Sequence, residues 1–354
     1  MNQELENYYL KQPEPIQGCL LALKSIILSV DEEIIARIRG QLKLYLVLFL
    51  FSLLGPATVH GQAERNVFIS DIDHFWSAFD SIQTIHEKDR QIQVMQSVYI
   101  DRGTYGLKEF MTLRNFDAAR LVESINKYPR FWRSIRPNTL TIRQNEPLIE
   151  SYIQKFRILY PDMRAANIYF TIGAIRAAGT TQDSLVLIGS EIALGDKNTD
   201  VSEFPDKRLA NFFNSKNSGN IIPVVIHECV HTQQKPEGKT LLAEAIYEGA
   251  CEFITELILA RPLENSYLVY GRKNEKELKR QFKKEMFSED LSHWLYNGAT
   301  SKTMGDLGYF MGYTICKSFY RHAKNKTAAI KAIINLNYPD AVAVRKFLEE
   351  SKYY

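Results

Sequence analysis

The sequence predicts an α+β protein, mostly helical, with a small β-sheet set between helical N- and C-terminal lobes. Three observations predict it. Apolar residues recur at helical spacing through residues 67–135 and 148–160, and again from Ile221 onward. Residues 166–173 (ANIYFTIG) are β-branched and aromatic, and residues 184–189 (SLVLIG) form a short apolar run. Residues 179–183 (GTTQD) lie between the two runs and carry turn chemistry.

The first 61 residues stand outside that plan. Residues 44–54 (LYLVLFLFSLL) are an apolar run of 11 that follows Arg37, Arg39 and Lys43 and ends at Gly55 and Pro56. Val59 and Gly61 then fit the −3 and −1 positions of a signal-peptidase site before Gln62. A basic flank, a short apolar core and a small-residue exit make residues 42–61 a secretory signal. A buried core helix is one alternative. A membrane anchor is the other, although a spanning helix needs about 20 apolar residues. The signal predicts an exported protein, periplasmic or secreted, that meets the membrane only transiently through this segment. No cysteine follows the run at a lipobox position. Residues 1–41 are an extra N-terminal segment, from a gene fusion or a misassigned start.

Residues 62–354 are long enough to bury a sizeable core. A hydrophobic fraction of 45% with 24% charged residues is ordinary globular composition, which excludes a disordered or fibrous chain. A net charge of +3 is too small for electrostatic nucleic-acid binding, and the basic cluster at 276–284 alternates with Glu275, Glu277 and Glu285 as a solvated helix face does. The sequence specifies no oligomeric state. Cys229, Cys251 and Cys316 sit among apolar residues and read as core thiols, with a Cys229–Cys251 bridge as the alternative.

Taken in order, Asp71 to Trp76 opens one helix and Leu107 to Leu113 another, separated by a turn-rich break at 99–106. A further helix spans 148–160, with Pro147 suited to its first turn and Pro161 stopping it. The two short runs supply strands. Pro223 then suits the first turn of a helix that contains His227, Glu228, Cys229, Val230 and His231.

On a helix, residues i and i+4 share a face, so His227 and His231 can direct two imidazoles at one ion. Glu228 is rotated about 100° from His227, which places its carboxylate beside the ion as a base for water. The third ligand must come from elsewhere, since no Cys-x-x-Cys pair exists. Thr240 can cap a helix running to about Ala260, along which Glu244, Glu248, Glu252 and Glu256 recur every fourth residue. A solvated acidic face is the plain alternative. Yet like charges at this spacing repel, and no lysine or arginine lies between Thr240 and Ala260 to offset them. A divalent cation would. Glu248 is the expected third ligand with Glu244 as the alternative, and Glu252 stands behind a histidine to orient it. Gly249 would let this helix approach the histidine helix closely.

His227 to His231 (HECVH), followed by Glu244 to Phe253 (EAIYEGACEF), resembles the gluzincin pattern, in which a glutamate on the second helix completes the zinc site. More narrowly, the chain resembles a bacterial family of predicted zinc-dependent proteases distantly related to GldB-like gliding-motility lipoproteins. Matching stretches are 99–107 (YIDRGTYGL), 131–135 (FWRSI) and 306–315 (DLGYFMGYTI). The resemblance implies a zincin-like fold over 62–354 and bound Zn2+. Residues 1–39 resemble the opening of a small YdhG-like domain.

The expected function is zinc-dependent hydrolysis, with a peptide or protein as substrate. A zinc ion lowers the pKa of water and polarises a carbonyl, Glu228 serves as general base, and a further donor steadies the developing oxyanion. Tyr309 and Tyr313 are the candidate donors, ahead of Tyr247 and His293. By analogy with zincins, the strand near 184–189 would pair with an extended peptide. His60, His74, His86 and His322 have no partner at ligand spacing. A non-catalytic envelope component with structural zinc is the alternative, and Glu228 argues against it, because a structural site needs no base.

Overall fold

The structure is a computed structural model that describes residues 66–205, 207–215, 220–298 and 300–354. The apolar run at 44–54, expected to be a secretory signal, and residues 1–39, expected to resemble a YdhG-like domain, lie outside the described residues. Residues Arg65–Tyr354 form one compact unit.

Fourteen helices and a four-stranded sheet make up the described chain, an α+β arrangement that is mostly helical. The helical lobe begins with β1 (Val67–Phe68) and α1 (Ser70–Ile82), then α2 (Lys88–Val94), which continues into a π-helical stretch, Met95–Ile100. It goes on through α3 (Tyr105–Arg114), α4 (Ala118–Lys127), α5 (Pro129–Leu140) and α6 (Ile142–Leu159). Val67 and Phe68, expected to be helical, instead add a short parallel strand beside β2. The expected break at 99–106 narrows to a turn. Tyr99 and Ile100 remain helical, and Thr104 caps α3 by accepting from Leu107 N while its hydroxyl donates to buried Asp71. Helix α6 starts five residues before Pro147 and carries that proline inside. Only Thr141 separates it from α5, so the chain is already helical when it reaches the proline.

The sheet follows as β2 (Asn167–Thr171), β3 (Gly179–Gln182) and β4 (Leu185–Gly189), in the order β1-β2-β4-β3. All five residues of β4 are buried, which suits a strand covered on both faces. It pairs parallel with β2 and antiparallel with β3. Residues 179–182, expected as a turn, are therefore the outer strand. Their two threonines favour extended backbone, and Asp183 takes the tight turn with φ at 50°. Because β4 is interior, the free edge belongs to β3 rather than to the 184–189 run.

After α7 (Ser190–Ala193) and α8 (Arg208–Ser215) come α9 (Ile222–His231), α10 (Leu241–Leu259), α11 (Ser266–Glu285), α12 (Leu307–His322), α13 (Lys326–Ile334) and α14 (Ala341–Ser351). Thr240 caps α10 by accepting from Ala243 N. Helix α10 is buried around nearly its whole circumference, packing most extensively on α12 and also on α9. Gly249 serves the α12 contact: a Cβ there would lie 2.1 Å from Tyr313 N. At the same crossing, a Cβ on Gly312 would lie 1.6 Å from Ala245 O. The expectation that Gly249 admits the histidine helix is corrected; it admits α12. Cys229, Cys251 and Cys316 are buried free thiols, with no 229–251 bridge.

Candidate metal centre

Helix α9 begins with Pro223 in its first turn and Asn220 Oδ1 accepting from Ile222 N. Ile222, Val225, Ile226, Cys229 and Val230 bury one side of it. His227, Glu228 and His231 thereby fall on the other side, half-buried, with His227 and Glu228 lining a cleft and His231 a smaller recess. On α10 the acidic stripe turns inward: Glu244, Glu248 and Glu252 are only 4%, 6% and 4% exposed.

Three side chains meet. His227 Nε2 and His231 Nε2 lie 3.1 Å apart, and each is 3.2 Å from Glu248 Oε2. Ligand atoms of a tetrahedral site with bonds of about 2.0–2.1 Å stand about 3.3 Å from one another, so the triangle has the size of a zinc face.

The surroundings settle which atoms carry protons. Gln234 Nε2 donates to Tyr247 O at 2.8 Å, so Gln234 Oε1, 2.8 Å from His231 Nδ1, is an acceptor. His231 therefore carries its proton on Nδ1 and presents a lone pair at Nε2. Glu252 Oε1, 3.3 Å from His227 Nδ1, does the same for His227. Glu252 is itself held by Tyr267 Oη at 2.5 Å and Asn265 Nδ2 at 3.3 Å. Glu248 Oε1 accepts from the Tyr296 hydroxyl at 2.9 Å, leaving Oε2 free to face the imidazoles. Three acceptor atoms aimed at one point repel unless something positive stands between them. A proton serves one pair; a divalent cation serves all three.

Where no ion stands at that point, the same charges draw a proton to it instead. Burial works against charge at both groups, yet the two imidazoles hold the Glu248 carboxyl well below the usual carboxylate range. Burial would likewise lower His227, but Glu248 and Glu252 raise it well above an ordinary histidine. The donor set therefore fits a divalent ion with nitrogen and oxygen preference such as zinc. A competing trio of His227, His231 and Cys251 also lies within 4.8 Å. Cys251 Sγ, however, sits 3.4 Å from His231 Nδ1 and 3.3 Å from Gln234 Oε1, across the ring from Nε2. Burial also pushes its thiol up, away from the thiolate a metal requires.

Glu228 lies beside this triangle on the wall of a cleft of about 1390 Å³. A Cβ at Gly179 would lie 2.9 Å from Glu228 Oε1, so the N-terminal end of edge strand β3 borders this carboxylate. Tyr309 lines the same cleft with its ring 6.3 Å from that of His227, and its hydroxyl has no hydrogen-bond partner among the described residues.

Other candidates are placed elsewhere. Tyr313 lies one turn along α12, and its hydroxyl donates to Glu256 Oε1 at 2.7 Å and meets Lys317 Nζ, outside the cleft. The expectation of Tyr313 as an oxyanion donor is corrected. Glu244 shares the Tyr296 hydroxyl with Glu248 and stays outside the triangle, and burial pushes its carboxyl up to about 7. Tyr247 packs against His231 at 4.6 Å and borders a separate recess. His293 is exposed beside Glu285. Tyr296, Tyr267, Asn265 and Gln234 escaped the sequence reading. Only Gln234, three residues after His231, carried a spacing that could have flagged it.

The family profile described as gliding motility protein GldB matches residues 70–354, from the first residue of α1 to the C-terminus. No curated protein and no solved structure matches. The cleft, the two imidazoles and the carboxylate all lie within the matched span, and the chain belongs to the family of the gliding motility protein GldB.

Proposed function

We propose that the protein is a zinc-dependent hydrolase of the cell envelope, with a peptide or protein as substrate. One observation carries the reading: two imidazole Nε2 atoms and one carboxylate oxygen converge at 3.1–3.2 Å, and beside them on the wall of an open cleft stands Glu228, whose carboxylate has no hydrogen-bond partner among the described residues. The ion held by His227, His231 and Glu248 would supply Lewis acidity and a lower pKa for water. Glu228 would take the proton of the attacking water and return it to the leaving amine. Tyr309, with its hydroxyl unengaged, is the side chain suited to donate to the developing oxyanion. The free edge of β3, rather than β4, would pair with an extended substrate and lead it past Glu228.

A second reading is favoured by the family description, which names motility rather than catalysis. In that reading the ion clamps α9 to α10 in a non-catalytic envelope component. The two readings differ at Glu228. Zinc-loaded full-length protein and its Glu228→Gln variant would be compared on an unfolded, casein-like substrate. The hydrolase reading expects cleavage by the wild type and a loss of about 10²–10⁴-fold in the variant, with zinc content unchanged. Equal cleavage by the two, or none by the zinc-loaded wild type, removes it.

A further inference from the structure

Where β2 ends, the chain turns to form one wall of the cleft. Tyr99 fixes the start of that turn, its hydroxyl donating to Ile172 O at 2.8 Å and accepting from Ile172 N at 2.9 Å. Ala174 and Ile175 then adopt left-handed backbone in succession, with φ of 53° and 61°. For a β-branched residue such as Ile175 this conformation is costly, so something must hold it. Residues 174–179 all line the cleft, and Gly179 at the end of the wall abuts Glu228.

The holding group is Glu191, in the first turn of α7 and 0% exposed. Its Oε1 accepts from Gly173 N at 3.0 Å and Ile175 N at 2.8 Å, and its Oε2 faces Gly173 N at 3.1 Å. Among the described residues it has no ion-pair partner. Buried charge without a cation is held here only by backbone amides, those of Gly173, just before the strained pair, and of Ile175, its second member.

We infer that Glu191 is a positioning residue: its carboxylate clamps the 173–178 wall of the cleft in its left-handed shape and so sets where Gly179 stands against Glu228. The inference rests on the proposed function only in taking the cleft as the substrate's. Burial outweighs the amide bonds and pushes the Glu191 carboxyl up to about 7. The titratable group that faces it is Tyr99, whose own hydroxyl is raised by burial, by Asp71 and by Glu191. On α5, Arg130 is engaged by Asp200 and Glu203, Arg136 by Asp80, and Arg133 is exposed. Arg176, on the wall itself, donates to Arg114 O. Burial raises the Glu191 pKa while the amide bonds lower it, so an opening of the wall that breaks those bonds and leaves the carboxyl buried is favoured by protonation, the reverse of an unfolding that exposes it: the clamp holds above its pKa and slackens below it.

Hydrogen exchange on the full chain, corrected for the intrinsic effect of pH, tests this without substrate or catalysis, so its failure is separate from failure of the hydrolase reading. Wild-type peptides covering 173–178 are expected to lose about tenfold or more in protection between pH 8 and pH 5.5, while those from α10 hold. Glu191→Gln, which sets an amide N–H toward the Gly173 amide, should be poorly protected at pH 8 and insensitive to pH. A wild-type wall whose protection ignores pH, or a Gln variant with the wild-type response, overturns the inference. The wild-type series stands even if the variant does not fold.

Discussion

Tyr296 holds left-handed backbone, φ 56°, with 59% of its surface open, yet its hydroxyl reaches inward to both Glu244 and Glu248. A non-glycine residue in that conformation is retained where the fold needs its side chain in one place. Here it fixes which oxygen of Glu248 turns to the imidazoles. Tyr296→Phe should therefore weaken zinc affinity by about 10–100-fold, read by chelator competition. Tyr313→Phe makes the opposite case: losing its bond to Glu256 should lower stability by about 1 kcal/mol in a urea melt and leave zinc affinity unchanged. The sequence separated these tyrosines poorly. His227, Glu228 and His231 were legible because their geometry is local to one helix. Tyr309 and Tyr313 share a helical repeat, but only the packing on α10 decides that one hydroxyl meets Glu256 while the other stays in the cleft. Tyr296, 48 residues from Glu248, left no local trace.

At the scale of elements, the site depends on how closely α10 can approach α12, because α10 carries Glu248 and Glu252. Gly312→Ala would set a methyl against the backbone of Ala245 rather than against a side chain that could turn away. Thermal denaturation should show a loss of about 1–3 kcal/mol or more. A near-neutral melt would mean that the helices separate at little cost. The helices around the site were readable from caps and spacing, Thr240 and Pro223 above all. The strand at 179–182 was not, since Gly-Thr-Thr-Gln followed by Asp has turn composition and becomes a strand only by pairing with β4. The inward turn of the acidic stripe was argued from missing lysines, an electrostatic signal that outlasts ignorance of the fold.

For the whole molecule, buried charge links pH and metal to stability. An acid with its folded pKa raised from 4.5 to about 7 binds more protons folded than unfolded between those values. The contribution of Glu191 to stability is thus lost as pH rises through that window. The unfolding free energy of the wild type minus that of Glu191→Gln should accordingly fall from pH 5 to pH 8 in urea titrations. Zinc acts in the other direction, since a ligand bound only by the folded chain stabilises it, by about 2.7 kcal/mol at a hundredfold excess over Kd. Metal content of the purified full-length chain tests the central claim most directly. The account predicts one zinc ion per chain, kept by Glu228→Gln and lost by His231→Ala and by Glu248→Ala in folded protein. A wild-type chain that takes up no zinc, or one whose zinc survives both of those alanine substitutions, would contradict it.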